Sequence, residues 1–429
     1  MSSAGGNTSP PLDLPGAAAS GLASTTPDPA LPRISLDSLV DTVLRYNPGV
    51  MAAERSRDAA SANVIGARAL PNPTLQYSRG SQRPHLPTGA SGYTQSVGVS
   101  QLIENPSLRR ARVETALSEE RASGQGVQVV RNDLVADVRL GAYTLLLRQA
   151  EAQAAGEALS LLQQVNGRVR ARVDSGEAPR YELIKADAEV VTARSQRDTS
   201  LLLAEQAAID LNRLAAGALP PRWVLDAQLA DALRTDQLGT LDDWRARMET
   251  GNPELRVLQA ELDATRARLD GARAERWPGV TLNLSQSRDP DVRQNSVGVS
   301  VQIPLFDRRT GPVASAGSLI ERARIRLDGR RAELDQQLLY AWRSLEMAQL
   351  RVQALSQGAV PDAEAALRVA DAAYRFGERG ILDVLDAQRV LRGVRAELLV
   401  ARFQVQAAQI DLDLLSGRWA QVPGATTTR

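Results

Sequence analysis

The sequence predicts a mainly α-helical protein with a small β part, in which one unit of long coiled-coil helices and a β-hairpin is written twice. Three observations carry that expectation. Apolar residues make up 43 % of the 429 positions but aromatics only 3 %, so the apolar content is Ala, Leu and Val beside 24 % charged residues, a mixture typical of long packed helices. No proline interrupts the 72 residues between Pro106 and Pro179, and a continuous helix of that length would reach ~100 Å. The second half restates the first at an offset near 200: Asn47-Pro48 recurs as Asn252-Pro253, Pro73 as Pro278, Ser96-Val97-Gly98-Val99-Ser100 verbatim from Ser296 to Ser300, and Ile209-Asp210-Leu211 as Ile410-Asp411-Leu412.

The elements follow in order. Residues 1–33 are rich in Pro, Gly, Ser and Thr and read as a disordered leader. The first repeat is expected over 34–217, with strands at about 73–82 and 93–103 and a helical tip near 174–182. A linker is expected at 218–240, the second repeat over 241–417, with strands at about 279–287 and 295–304 and a tip near 374–386, then a flexible tail at 418–429. Each repeat reads as short helix, helix, two strands, very long helix, long helix. Alternation with period 2 marks the strands: from Val280 to Ser285 one face is Val, Leu, Leu and the other Thr, Asn, Ser. The last helix carries Val384, Ala387, Leu391, Val394, Leu398, Ala401, Val405, Ala408, Leu412 and Leu415 in steps of 3 and 4, a left-handed coiled-coil seam. Its counterpart from Leu183 to Leu214 keeps the spacing but is interrupted by Arg197 and Ser200. Gly124 and Gly126 are candidate bends in the very long helix.

Several function classes are excluded by composition. The formal charge is +1, which gives no electrostatic footprint for nucleic acid. There is no cysteine and a single histidine, so disulfides, thiolate catalysis and Cys/His metal cages are excluded, and His85 reads as a solvated loop residue. No Gly-rich phosphate loop, metal motif or nucleophile–base pair is visible, so neither an enzyme nor a bound cofactor is expected. Nothing approaches the ~18 apolar residues of a membrane-spanning helix. Met1 to Arg33 has neither a basic start nor an apolar run of a secretory signal, so an exported protein would imply a misassigned start or a processed chain.

Four strands with one apolar and one polar face cannot close into a barrel, and an open edge in lipid would leave backbone groups unpaired. Hairpins from several copies sharing one barrel would solve this, with an aliphatic outside and a polar inside. Trp277 and Phe306 flank the second hairpin where interfacial aromatics would sit.

The layout and the string from Tyr374 to Gln388 (YRFGERGILDVLDAQ) resemble the TolC-type outer-membrane efflux channels over roughly residues 34–420. The resemblance implies a homotrimer with a 12-stranded barrel in outer-membrane lipid and a 12-helix tunnel crossing the periplasm. It further implies a periplasmic adaptor (membrane fusion) protein and an inner-membrane pump of the resistance-nodulation-division type as partners. Asp383 and Asp386 match the positions that form carboxylate rings at the closed periplasmic entrance of well-known members, where threefold symmetry would favour cation entry. Acids in the first turn of a helix also suit its dipole, so the ring is one of two readings. Tyr374 and Arg379 match residues that tie the inner coil to its neighbour in the closed state, with Glu182 as partner, although the family's best-studied member has a shorter acid there and a small hydroxyl residue where this chain has Tyr181. Gly176 and Gly377 are expected to end helices in left-handed conformations, and with Leu382 and Leu385 they are candidate adaptor contacts. Ile34-Ser35-Leu36-Asp37-Ser38-Leu39, Asn47-Pro48 and Ala69-Leu70-Pro71-Asn72-Pro73 most resemble the outer-membrane partners of cobalt–zinc–cadmium-type pumps. Heavy-metal cations are therefore the expected cargo; drug efflux, type I protein secretion and, more remotely, a soluble coiled-coil scaffold are the alternatives.

Overall fold

The computed structural model describes residues 31–83, 85, 89–229, 239–376 and 378–420. Most of the expected leader, part of the linker, Gly377 and the end of the tail lie outside the described residues. In chain order the elements are β1 (Arg33–Ser35), α1 (Leu36–Tyr46), α2 (Pro48–Arg68), β2 (Thr74–Gln82), β3 (Gly92–Ile103), α3 (Pro106–Asp174) and α4 (Arg180–Leu214). The second repeat follows with β4 (Val224–Asp226), α5 (Leu241–Gly251), α6 (Pro253–Ala274), β5 (Val280–Arg288), β6 (Arg293–Val301), α7 (Thr310–Ala354), α8 (Val360–Arg375) and α9 (Ile381–Leu415).

Local chemistry explains the boundaries. Asn-Pro occurs where one helix ends and another begins: Pro48 holds Asn47 extended (ψ 123°), which stops α1, while the Asn47 side chain accepts from the N–H of Gly49 and Val50 and caps α2. Asn105 before Pro106 starts α3 in the same way, accepting from Ser107 N–H at 3.0 Å. Thr240 and Asp243 form a reciprocal capping box on α5. With no interior proline, α3 runs 69 residues and is continuous through Gly124 and Gly126.

Its counterpart is not continuous. Between α7 and α8 the chain makes a π-helical turn over Leu355–Ala359. Pro361, just beyond, has no N–H to donate to the preceding turn, and the wider turn absorbs the mismatch. The α9 seam faces inward: Val384, Leu391, Leu398, Ala401, Val405, Ala408, Leu412 and Leu415 are buried. On α4 the expected interruption at Ser200 is absent. Ala186, Ala193, Ser200 and Ala207 form a buried stripe seven residues apart, because a serine is small enough to sit in a seam otherwise built of alanine.

Three apolar cores run along the helices. One joins α5, α6, α7 and α9 through Trp244, Met248, Leu334, Leu338 and Leu412. The second joins α1, α3 and α4 through Leu39, Val43, Val138 and Leu211. The third, around Val169, Tyr374, Ile381 and Val384, lies at the far tip. A short parallel pair, β1 with β4, sits on the second core.

At the other end, β2-β3-β5-β6 form one antiparallel sheet in that order, so the two repeats meet strand to strand at β3–β5. The outer strands β2 and β6 have no further partner among the described residues.

Candidate functional site

Two regions carry the chemistry: the sheet, and the tip where the helices turn back.

Register and alternation give the sheet two faces of opposite character. One face carries Gln76, Ser78, Thr94, Ser96, Gly98, Ser100, Thr281, Asn283, Ser285, Gln294, Ser296, Gly298 and Ser300. Hydroxyls on it bond across strands, Ser78 with Ser96 and Ser285 with Ser296 at 2.7 Å each, and Asn283 Nδ2 donates to Ser300 Oγ at 3.1 Å. The other face is apolar in rows. Leu75, Val99, Leu284 and Val297 align across all four strands, and below them lie Leu282 with Val299 and Ile103 with Val280 and Val301. Apart from half-buried Val280 these side chains are exposed, up to 81 % at Val297, although each is as apolar as a core residue. An exposed aliphatic face of this extent marks a surface made for another apolar phase. Strands of 9–12 residues match the length needed to cross a bilayer as tilted strands.

Aromatics bound this face at both ends. Trp277 and Phe306 are exposed at the helix side, as expected from sequence. Tyr77 and Tyr93 are exposed at the loop side and were not anticipated; their period-2 position in line with Leu75 and Val97 was the available signal. Where the sheet meets the helices, Arg112 forks onto Glu104 at 2.6 and 2.7 Å and donates to the carbonyls of Ala67 and Ala69. This clasp fixes the end of β3 against the end of α2.

At the tip, α3 ends at Gly176, whose φ of +80° is the left-handed conformation expected of it, and Glu177 and Ala178 N–H return to the carbonyl of Arg172. Tyr374 is buried, its ring lies under the Arg172 guanidinium at 4.9 Å, and its hydroxyl has no hydrogen-bond partner among the described residues. Asp383 and Asp386 are both exposed on the first turns of α9. Arg379 pairs with Asp383 at 3.2 Å, and Arg389 approaches Asp386 at 3.9 Å. Within one chain, then, the residues Tyr374, Arg379 and Glu182 are not joined to one another. Glu182 instead places its carboxylate beside Gly380, the residue that precedes α9, where the helix dipole favours an anion. Of the two leucines, Leu382 is exposed, whereas Leu385 packs into the tip core with Val169 and Ile381, so its side chain is not on offer to a partner at this tip.

A third group lies midway along the bundle. Burial, with repulsion from Glu254 and Asp137, pushes the Asp133 carboxyl up to about 6 despite nearby Arg330. Among the described residues no group of three or more His, Asp or Glu side chains is arranged to hold a metal ion, and no helix is long and apolar enough to cross a membrane.

A four-stranded sheet with a polar and a lipid-like face, set on long helices of which α3 runs 69 residues away from it, defines a subunit of a β-barrel channel of the outer membrane. The comparisons with known proteins agree. The profile of the outer membrane efflux protein family matches residues 39–217 and 244–418, once per repeat, and the chain belongs to that family. It is 27 % identical over 400 residues to the cobalt-zinc-cadmium resistance protein CzcC of Cupriavidus metallidurans, covering 91 % of this chain and 93 % of that one. It is 25 % identical to the toluene efflux pump outer membrane protein TtgC of Pseudomonas putida, covering 91 % and 84 %, and 25 % identical to the proteases secretion protein PrtF of Dickeya chrysanthemi, covering 88 % and 87 %. Among solved structures it shares its fold with the open-state MtrE outer membrane channel of Neisseria gonorrhoeae, with TM-score 0.76, 19 % identity and coverage of 89 % and 88 %. CusC matches with TM-score 0.77 and 20 % identity over 89 % of this chain and 92 % of that one. The chain is an outer-membrane efflux channel subunit.

Proposed function

We propose that three copies assemble into one 12-stranded barrel and one helical tunnel, and that the channel releases heavy-metal cations of the cobalt, zinc, cadmium or copper type. An adaptor protein of the periplasm and an inner-membrane pump of the resistance-nodulation-division type would deliver them. The observation that carries the assembly is the sheet itself, whose edges β2 and β6 are open and whose aliphatic face is bare. Pairing β2 of one copy with β6 of the next removes every edge and turns the serine-lined face toward water.

The metal assignment is supported by the relative from Cupriavidus metallidurans, which matches over nearly its full length. The chain needs no metal site for this role. A polar lumen conducts a cation that the pump has already selected, and exposed Asp383 and Asp386 would draw it toward the entrance. Arg379, paired with Asp383 in the single chain, would exchange that partner for Glu182 or a neighbouring copy when the entrance closes, with Tyr374 packed under Arg172 in the tip core. Gly176 and Leu382 lie at or beside the exposed turns that an adaptor would meet, and Gly377, outside the described residues, is a third candidate contact by sequence.

The test is deletion of the chain's gene in its own host. Sensitivity to zinc, cadmium or cobalt, restored by the wild-type gene, is the expected result. Unchanged metal tolerance with new sensitivity to organic solvents or loss of a secreted protein would instead assign the drug-efflux or secretion role named for the other relatives.

A further inference from the structure

The sheet's lipid-facing side ends in a row of arginines that the channel function does not use. Arg79 pairs in register with Gln95, Gln95 with Arg288, and Arg288 with Arg293, so the four residues form one line across the four strands. By alternation they share the face of Tyr77, Val97, Leu284 and Val297; they stand one row beyond the mixed row of Tyr77, Val97, Gln286 and Asn295, and two beyond the apolar row of Leu284 and Val297, at the loop end opposite the helices. All three arginines are exposed.

Their pairing is unfavourable as it stands. Arg288 and Arg293 are directly opposite on neighbouring strands, an arrangement that destabilises a sheet unless an anion lies between. Asp289 and Asp291 occupy the adjoining turn, yet no ion pair links either of them, or any other described carboxylate, to Arg79, Arg288 or Arg293 among the described residues. The Arg79 guanidinium lies 4.7 Å over the ring of Tyr93, which holds it flat at the edge of the face.

We propose that this row binds the phosphate groups of a glycolipid in the outer leaflet. The inference rests on the outer-membrane barrel reading. Guanidinium groups take phosphate oxygens bidentately, and two that face each other across adjacent strands offer a fork for one phosphate. Tyr77 and Val97 lie in the next row and the apolar rows begin in the one after, at about 7 Å per row along the strand, where the acyl chains of the same molecule would run. A lipid phosphate therefore satisfies both features at once, whereas a free anion would leave the aliphatic rows bare. Placement at the rim also keeps these charges out of the hydrocarbon, where an arginine would be costly.

The test uses the purified full-length protein in dodecyl maltoside micelles, with diphosphoryl lipid A as the probe and native mass spectrometry as the readout. Lipid A should bind the wild type, and the variant R288Q/R293Q should bind it about tenfold more weakly. R79Q, which leaves the facing pair intact, should give a smaller loss and serves if the double variant does not assemble. Binding to the wild type should also weaken as salt rises from roughly 50 to 500 mM. Equal affinity in wild type and variants, or displacement of lipid A by millimolar inorganic phosphate alone, would overturn the proposal. Planar-bilayer recording separates the two levels: a wild type that conducts but binds lipid A no better than its variants sinks this inference alone, and one that forms no pore sinks the barrel reading with it.

Discussion

Asn47 and Asn252, 205 positions apart, make the same set of hydrogen bonds in the two repeats. Each accepts from the two N–H groups that open the following helix, and each donates through Nδ2, at 3.0 Å, to the carbonyl at the end of the last helix of its own repeat, Leu214 or Leu415. One side chain thus caps a helix start and a helix end together, and closes each repeat on itself.

Asn252 is buried, whereas Asn47 is partly exposed. Asn252→Ala removes a cap and strands the Leu415 carbonyl away from water, for a loss of about 2–4 kcal/mol. Asn47→Ala should lose roughly half of that, since water can replace the missing donor. Denaturant unfolding of the two variants in micelles checks the ranking.

The equivalent glycines Gly217 and Gly417 should also respond unequally. Both have positive φ, 81° and 69°, so alanine at either strains the backbone by about 1–2 kcal/mol. A Cβ at 217 would meet open space, but at 417 it would overlap the backbone of Gly251 and Asn252. Gly417→Ala should therefore destabilise by several kcal/mol more than Gly217→Ala, through separation of α5 from the end of α9. Thermal unfolding followed by circular dichroism reads this directly.

Leu284 sits midway along β5, between Val99 and Val297 on the apolar face. Leu284→Arg should cost about 2–4 kcal/mol of membrane stability, as a charge at the bilayer midplane does. The measurement is the amount of assembled trimer in outer-membrane fractions; an undiminished yield would contradict a lipid-facing surface.

The double variant Tyr374→Ala with Arg379→Ala should raise single-channel conductance if these residues hold the entrance closed. Conductance equal to the wild type would leave the pair a structural role only: Tyr374 filling the tip core under Arg172, and Arg379 neutralising Asp383.

The folded chain holds the Asp133 proton more tightly than the unfolded chain does, with a value near 6 against 3.8. Stability is therefore greatest below this window and falls as pH rises through it. Because the Asp133 side chain is exposed, solvent screening discounts the loss to ~1 kcal/mol. Asp133→Asn should remove that slope and stabilise the protein at pH 7, as unfolding midpoints at pH 4 and pH 7 would show.

The sequence by itself determined the duplicated order of elements, the strand pairs and the α9 seam, because these rest on local rules. Proline and asparagine punctuate helices wherever they occur, and period-2 or heptad spacing commits a segment before it meets its partners. Tertiary structure decided what depends on neighbours far away in sequence. Ser200 looked like an interruption until the stripe of alanines around it showed that size, not polarity, governs that seam. Pro361 was visible, but the π-turn that accommodates it at 355–359 was not. Leu382 and Leu385, alike in sequence, were separated by the three-residue step that turns one toward solvent and the other into the core beneath Tyr374. The arginine row came only from register, since Arg79 and the hairpin pair Arg288 and Arg293 are brought into one line by the β3–β5 pairing that joins the repeats. Spacing along a chain fixes which face a residue shares with its own element; only the packing of elements fixes which residues of other elements it meets there.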